Sequence, residues 1–289
     1  MKKIGFIGVG IMGSSMVRNL MKNQYEVHIY ARHPKKVESI VKEGAVLHDT
    51  IADCVRASEA IITMLGYPSD VEEVYLGENG IFAAASAGSL LIDMTTSSPK
   101  LADMLYAHGK ARSLDVLDAP VTGGDVGAKE GTLTILVGGE KQIFERAYPL
   151  FTAMGTHIYY CGAAGKGQHM KLANQIMIAG TLSGVCEALA YAKKQEIDPS
   201  MVISYLQDGA AGSRQLQLLG PKMVNEDFAP GFFIKHFIKD MRLAKEEARE
   251  DALALNVLEL VLSNFEDLAK KGFADSGTQQ LITWYLPKE

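Results

Sequence analysis

The sequence predicts an α/β chain, with a doubly wound sheet in the first part and an all-helical second part reached through one long helix. Three observations carry this reading. Short apolar runs alternate with amphipathic helical segments from residue 3 to about residue 161. A strand, a glycine turn and a helix follow one another at the very start. From Lys166 to about residue 195 the apolar positions Met170, Ala173, Ile176, Met177, Leu182, Val185, Leu189 and Ala192 give a broad buried helical face, and the remainder is helical in pattern. The expected domains are 1–163 and 164–289, which 289 residues accommodate comfortably.

Composition narrows the function classes. With 34 acidic against 29 basic residues, the formal charge of −5 provides no basic footprint for nucleic acid. Cys54, Cys161 and Cys186 are odd in number and lack paired or Cys/His spacing, so no disulfide framework or metal site is expected. A reducing cytoplasm fits them. Gly8, Gly10, Gly13 and Arg18 interrupt any signal-peptide pattern after Lys2 and Lys3. The apolar stretch 172–185 carries Asn174, Gln175, Thr181 and Ser183, and is shorter than the about 20 residues a bilayer requires. No membrane role is expected.

In chain order, 3–8 reads as a buried strand running into Gly8, Val9, Gly10, Ile11, Met12 and Gly13, then a helix marked by Met16, Val17, Leu20 and Met21. This geometry asks for glycine at the tight turn, where a pyrophosphate approaches the backbone, and where helix meets strand. The helix N-terminus then offers N–H groups and a positive dipole end to the phosphates. A dinucleotide-binding Rossmann half follows. The second strand, 26–30, ends at the point where such folds distinguish their cofactors. Ala31, Arg32, His33, Lys35 and Lys36 stand there, and nothing acidic. Arg32 suits a ribose 2′-phosphate, so NADP is favoured over NAD. The plainer alternative is a solvated helix start.

The alternation continues with a helix over 34–42, a strand at 45–47, a helix at 51–57 and a strand at 60–65. The last ends at Gly66, Tyr67 and Pro68, so Met64 and Leu65 either line the nicotinamide or close the strand core. A helix at 69–75 and a turn at 77–80 lead to a strand at 89–94. Of Thr95, Thr96, Ser97 and Ser98 before Pro99, one threonine is expected to cap a helix and the other to face the site. A strand at 114–118 then delivers Asp118, Ala119, Pro120, Val121, Thr122, Gly123 and Gly124. Adjacent glycines let N–H groups converge on an anion, and the Thr122 hydroxyl adds a donor, which suits a small carboxylate. The alternative is a glycine turn without function. Gly127, Gly131, Gly138 and Gly139 bound a strand at 133–137, followed by a helix at 141–154 and a strand at 157–161. Beyond the long helix, helices are expected over 199–207, 214–222, 234–255, 257–271 and 278–286.

Lys171 is a cation on an apolar helix face, with Asn174 and Gln175 one turn on. It is either a snorkelling lysine or a reactive one. Lys239 and Asp240 form a second polar pair, whose alternative is a solvated face.

These segments resemble the β-hydroxyacid dehydrogenase family, which includes 3-hydroxyisobutyrate dehydrogenase, tartronate semialdehyde reductase and succinic semialdehyde/glyoxylate reductases. The resemblance covers nearly the whole chain. It rests on the 5–13 glycine turn, on Asp118 to Gly124 with Gly131, Thr132 and Leu133, on the 165–174 segment GKGQHMKLAN, and on Phe237 to Met241. It implies an NAD(P)-dependent enzyme in which Lys171 is the acid/base, Thr122, Gly123 and Gly124 hold the substrate carboxylate, and Lys239 lies near nicotinamide and substrate. Thr122 stands where many members have serine, and Gln175 where some have a second asparagine, leaving open whether Asn174 or Gln175 orients substrate. Arg214, Phe232, Phe233, His236 and Gln175 are candidates for substrate discrimination. An imine reductase shares this architecture but commonly lacks the lysine, and a non-catalytic dinucleotide sensor would need only the glycine turn. A proton donor must stand at the oxygen where charge develops during carbonyl reduction, which protonated Lys171 can supply. A homodimer or homotetramer is expected from the long apolar helices.

Overall fold

The computed structural model describes residues 1–287. The chain forms two compact units that divide between Lys171 and Leu172, eight residues beyond the expected boundary. Unit one is a mixed nine-stranded sheet. Its strands are β1 (Lys3–Ile7), β2 (Glu26–Tyr30), β3 (Val46–His48), β4 (Ala60–Thr63), β5 (Leu90–Asp93), β6 (Asp115–Asp118), β7 (Val121–Thr122), β8 (Leu133–Gly138) and β9 (Gly155–Gly162). They run in the order β3-β2-β1-β4-β5-β6-β8-β7, with β9 against the other side of β8. The first six are parallel, β8 turns antiparallel to β6 and β7, and β9 is parallel to β8. The order reverses beside β1, which places a switch point at the carboxyl ends of β1 and β4.

The strands are short apolar runs because both faces are covered. Ile4, Phe6, Ile62, Ile92 and Leu117 point into one core, which Met16, Val17 and Leu20 complete. Ile7, Ile61, Leu91 and Val116, alternating with them, point into a second core with Val71, Tyr75 and Leu105. The connecting helices are α1 (Ile11–Lys22), α2 (Glu38–Lys42), α3 (Ile51–Arg56), α4 (Pro68–Leu76), α5 (Ile81–Ala84), α6 (Pro99–Lys110), α7 (Gly124–Glu130) and α8 (Lys141–Thr152).

Unit two is helical. α9 (Lys166–Lys194) begins in unit one and continues into unit two, followed by α10 (Pro199–Leu206), α11 (Arg214–Val224), α12 (Ile234–Glu250), α13 (Asn256–Leu268) and α14 (Ile282–Tyr285). Leu172, Leu182, Leu189, Phe237, Met241, Leu262 and Phe265 belong to its core. α9 is, among the described residues, the one helix long and apolar enough to cross a membrane, although the stretch 172–185 alone is too short. Half of its most apolar window is buried.

Several expected elements change. The helix expected over 34–42 is a 3-10 turn (Pro34–Val37) and then α2, broken where Val37 leaves helical geometry. α7 occupies a stretch expected to be turn, since Gly127 and Gly131 mask its pattern. The helix expected over 234–255 stops at Glu250, where Ala252 is left-handed at φ 53° and the Leu253 N–H closes onto Ala248. The 257–271 helix ends in a π-turn (Ala269–Phe273), with Gly272 at φ 95°.

Candidate active site

The three glycines of the first turn meet different demands. Gly8 sits at φ +100°, and a β-carbon on it would strike the Met64 carbonyl, so it closes the turn against β4. A β-carbon on Gly13 would strike the Gly8 carbonyl and the Phe6 ring, so this glycine seats α1 on β1. A β-carbon on Gly10 would meet nothing within 4 Å. Open space is thus kept over the N-terminus of α1, where Gly10 is the cap and no acidic residue occupies the first turn. Ile11 and Met12 form that turn, Ile11 being exposed. These residues fit a dinucleotide pyrophosphate.

Ala31 and Arg32 follow β2 directly. The Arg32 guanidinium is 65% exposed and donates to Asp70 in the first turn of α4 at 2.9 Å. Asp70 also accepts the Tyr67 N–H, so one carboxylate closes the α4 cap and steadies Arg32. Asp70 was missed in the sequence, since it lies 38 residues from its partner. Met64 and Leu65 lie at the end of β4, both half-buried.

The segment after β5 is held from several sides. Thr95 is buried; its hydroxyl accepts the Leu65 N–H at 2.9 Å, and its own N–H donates to Asp93 at 3.1 Å. Asp93 also accepts from the Thr63 hydroxyl at 2.8 Å, and burial pushes its carboxyl up to about 6 despite these donors. Neither threonine caps α6. Ser98 does, accepting the Leu101 N–H, because it directly precedes Pro99 at the first helical position. Thr96 is half-exposed between two buried neighbours, Thr95 and Ser97.

Asp118, at the end of β6, accepts the N–H groups of Gly165 and Gln168, each at 2.9 Å, and so fixes the start of α9. Burial raises its carboxyl above the ordinary range, opposed by these N–H donors. Beyond it Thr122 ends β7, paired with Thr134. Gly123 and Gly124 follow with φ of 130° and 65°, conformations that a side chain would strain. Nothing lies within 4 Å of a β-carbon built on Gly124. Lys171, on α9, is 6% exposed and belongs to unit one.

Unit two carries its own polar chain. Asn174 donates to the Gln175 side-chain carbonyl at 2.7 Å, and Gln175 donates to Asp240 at 2.6 Å. Asp240, 2% exposed, pairs with the Lys239 ammonium at 3.0 Å. The Gln175 amide thus turns its nitrogen to Asp240 and its oxygen to Asn174. Lys239 is therefore a paired and largely buried cation, rather than part of a solvated helix face. Phe233 and His236 stack edge to face in this unit, and Phe232 contacts Phe237. Arg214 opens α11 behind its Ser213 cap.

Two family models match the chain in succession. Residues 3–162 match the NAD binding domain of 6-phosphogluconate dehydrogenase, and residues 165–285 match the NAD-binding domain of NADP-dependent 3-hydroxyisobutyrate dehydrogenase. The chain belongs to the β-hydroxyacid dehydrogenase family. Among relatives of this family, the Bacillus subtilis oxidoreductase YkwC is 49% identical over 285 residues, covering 99% of each chain. The 2-hydroxy-3-oxopropionate reductase of Escherichia coli is 41% identical over 255 residues, covering 88% of this chain and 86% of that one. Among solved structures, Mycobacterium tuberculosis 3-hydroxyisobutyrate dehydrogenase with L-serine superposes with a TM-score of 0.90 at 27% identity, each chain covered completely. This β-hydroxyacid dehydrogenase is thus an NAD(P)-dependent oxidoreductase. Among its described residues no group of three or more His, Cys, Asp or Glu could hold a metal ion.

Proposed function

We propose that this enzyme reduces the aldehyde of a small β-semialdehyde acid, of the methylmalonate or tartronate semialdehyde type, with NADPH, and that Lys171 moves the proton. The observation that carries the proposal is a buried lysine on the helix whose start Asp118 bonds to the Rossmann unit. The relatives' names supply the substrate class, 3-hydroxyisobutyrate and 2-hydroxy-3-oxopropionate.

Gly8, Gly10, Ile11, Met12 and Gly13 would hold the pyrophosphate on the N-terminus of α1, and Met64, Leu65 and Thr96 would bound the nicotinamide. When bound, the nicotinamide supplies a hydride to the carbonyl carbon. Lys171, as the ammonium, gives its proton to the carbonyl oxygen as negative charge develops there, and in the oxidative direction its neutral amine takes the hydroxyl proton. Thr122, Gly123 and Gly124 hold the substrate carboxylate through hydroxyl and N–H donors. Asn174, Gln175 and Lys239 are proposed as substrate-recognition residues on the family resemblance alone. Arg32, steadied by Asp70 and otherwise open to solvent, takes the 2′-phosphate. The NADP-dependent dehydrogenase named by the second family model supports this cofactor choice. The enzyme is cytoplasmic and a homo-oligomer in the same reading.

Lys171→Ala tests the proton role. The expected result is a fall in kcat of about 100- to 10,000-fold, with the NADPH Kd from fluorescence titration unchanged. Turnover retained in the folded variant would remove Lys171 from the chemistry.

A further inference from the structure

We propose that Gln168 is a positioning residue that holds Thr96 in fixed register with Lys171, and that Asp118 anchors it. The proposal rests on the reading of Lys171 and Thr96 as site residues. All four residues lie in the same unit. The Gln168 side chain is fully buried, and both ends of its amide are used: Nε2 donates to the Thr95 carbonyl at 2.8 Å and Oε1 accepts the Ser97 N–H at 2.9 Å. These two bonds bracket Thr96. The amide grips the backbone on either side of it, leaving its own peptide between the two bonds and its residue half-exposed.

The same glutamine stands three residues before Lys171 on α9, hence on the same side of the helix. Its own N–H is held by Asp118, which also takes the Gly165 N–H. The start of α9 cannot rotate or slide without breaking these bonds. Close packing reinforces the anchor: a β-carbon on Gly138 or Gly167 would run into the Asp118 carboxylate. Thr95, in turn, is tied to Leu65 at the end of β4 and to Asp93 at the end of β5. One continuous set of hydrogen bonds, buried except for the part-buried Leu65–Thr95 bond, therefore joins the strand ends β4, β5 and β6 to the helix that carries the lysine. A donor and an acceptor are both required at residue 168 for this, at a fixed distance from the helix axis. Glutamine supplies them without charge.

Two variants test it. Gln168→Met keeps the length and volume and removes both bonds. The expected result is a kcat about 10- to 100-fold lower, an NADPH Kd within about twofold of the parent, and faster hydrogen exchange at the Ser97 amide in the cofactor-free protein. Gln168→Glu can still accept from Ser97, but it donates to the Thr95 carbonyl only when protonated. Its kcat, relative to the parent, is expected to rise as pH is lowered, a profile that a merely structural role would not produce. A kcat within twofold of the parent for Gln168→Met, or a flat kcat ratio for Gln168→Glu between pH 5 and 8, would overturn the proposal. If the parent itself turns over none of the semialdehydes, the substrate reading fails separately. The exchange experiment then decides: lost protection at Ser97 and in the first turn of α9 supports the clamp, and unchanged protection overturns it.

Discussion

Single residues in this protein divide into those that shape the backbone and those that leave room for a ligand, and substitution separates the two. Gly8→Ala puts a side chain at φ +100° and into the Met64 carbonyl, so a loss of about 1–3 kcal/mol in unfolding free energy is expected. Gly10→Ala meets nothing inside the chain. Its thermal midpoint is expected to stay within a degree or two of the parent, on the order of a near-neutral surface change, while its NADPH Kd rises. Chemical denaturation and fluorescence titration of the two variants check the contrast. The glycine pattern was plain in the sequence, but the separate duties of its members depend on Met64 and Phe6, which no spacing displays.

Asp93 gives a pH dependence with a definite sign. Burial raises its folded carboxyl to about 6 from an ordinary 3.8, so the folded protein binds this proton more tightly than the unfolded chain. The stabilisation is complete below the unfolded value and is lost as pH rises through the folded one. Across that window of roughly two pH units the residue withdraws about 3 kcal/mol. Asp93→Asn keeps an oxygen for Thr63 and Thr95 and does not titrate. Its urea-unfolding stability is expected to fall less than the parent's between pH 4 and 6.5; an identical slope would show that Asp93 is not the group responsible. Asp93, Asp118 and Gln168 were present in the sequence as parts of strands and motifs, yet their duties were not legible. Each acts on partners 30 or more residues away, or on backbone groups that only the fold brings near.

At the scale of elements, the regular pattern was legible and its interruptions were not. The strands β1, β4, β5 and β6 were visible as compact apolar runs, and α9 as one long helix, although Met170, Ala173 and Met177 of its expected buried face are exposed. α7 was hidden because glycines occupy its start, its middle and the cap beyond its end. α12 continued beyond its true end because nothing in the side-chain pattern announces a left-handed alanine. α9 itself offers a test. Gly184 is exposed within the helix, and a β-carbon there meets nothing within 4 Å. Gly184→Ala is expected to raise the unfolding free energy by about 0.5–1 kcal/mol, measured by urea denaturation. A loss instead would contradict the reading of that helix face as unpacked.

The molecule as a whole carries its family signature in two successive stretches, each with its own core. Unit one contains the glycine turn, Arg32, Thr96, Thr122 to Gly124 and Lys171, and unit two contains Asn174, Gln175 and the Lys239–Asp240 pair. The reaction class was legible through the family resemblance of four motifs, those at 5–13, 118–124 with 131–133, 165–174 and 237–241. Substrate choice was not legible: the candidate side chains, Gln175, Phe232 and His236 among them, have a chemistry that serves helix packing equally well. The proposed preference for NADPH rests on Arg32. Arg32→Ala is expected to weaken NADPH binding by about tenfold or more, the loss of one charge-assisted contact worth about 1.5–3 kcal/mol, and to leave NADH binding nearly unchanged.

The measurement that bears most directly on the central claim is the initial rate of cofactor oxidation by the purified enzyme with methylmalonate and tartronate semialdehydes, run in parallel with NADPH and NADH. Turnover of at least one semialdehyde, with a higher kcat/KM for NADPH, is the predicted result. A protein that binds NADPH but oxidises it with neither semialdehyde would contradict the assignment of a β-semialdehyde acid as substrate.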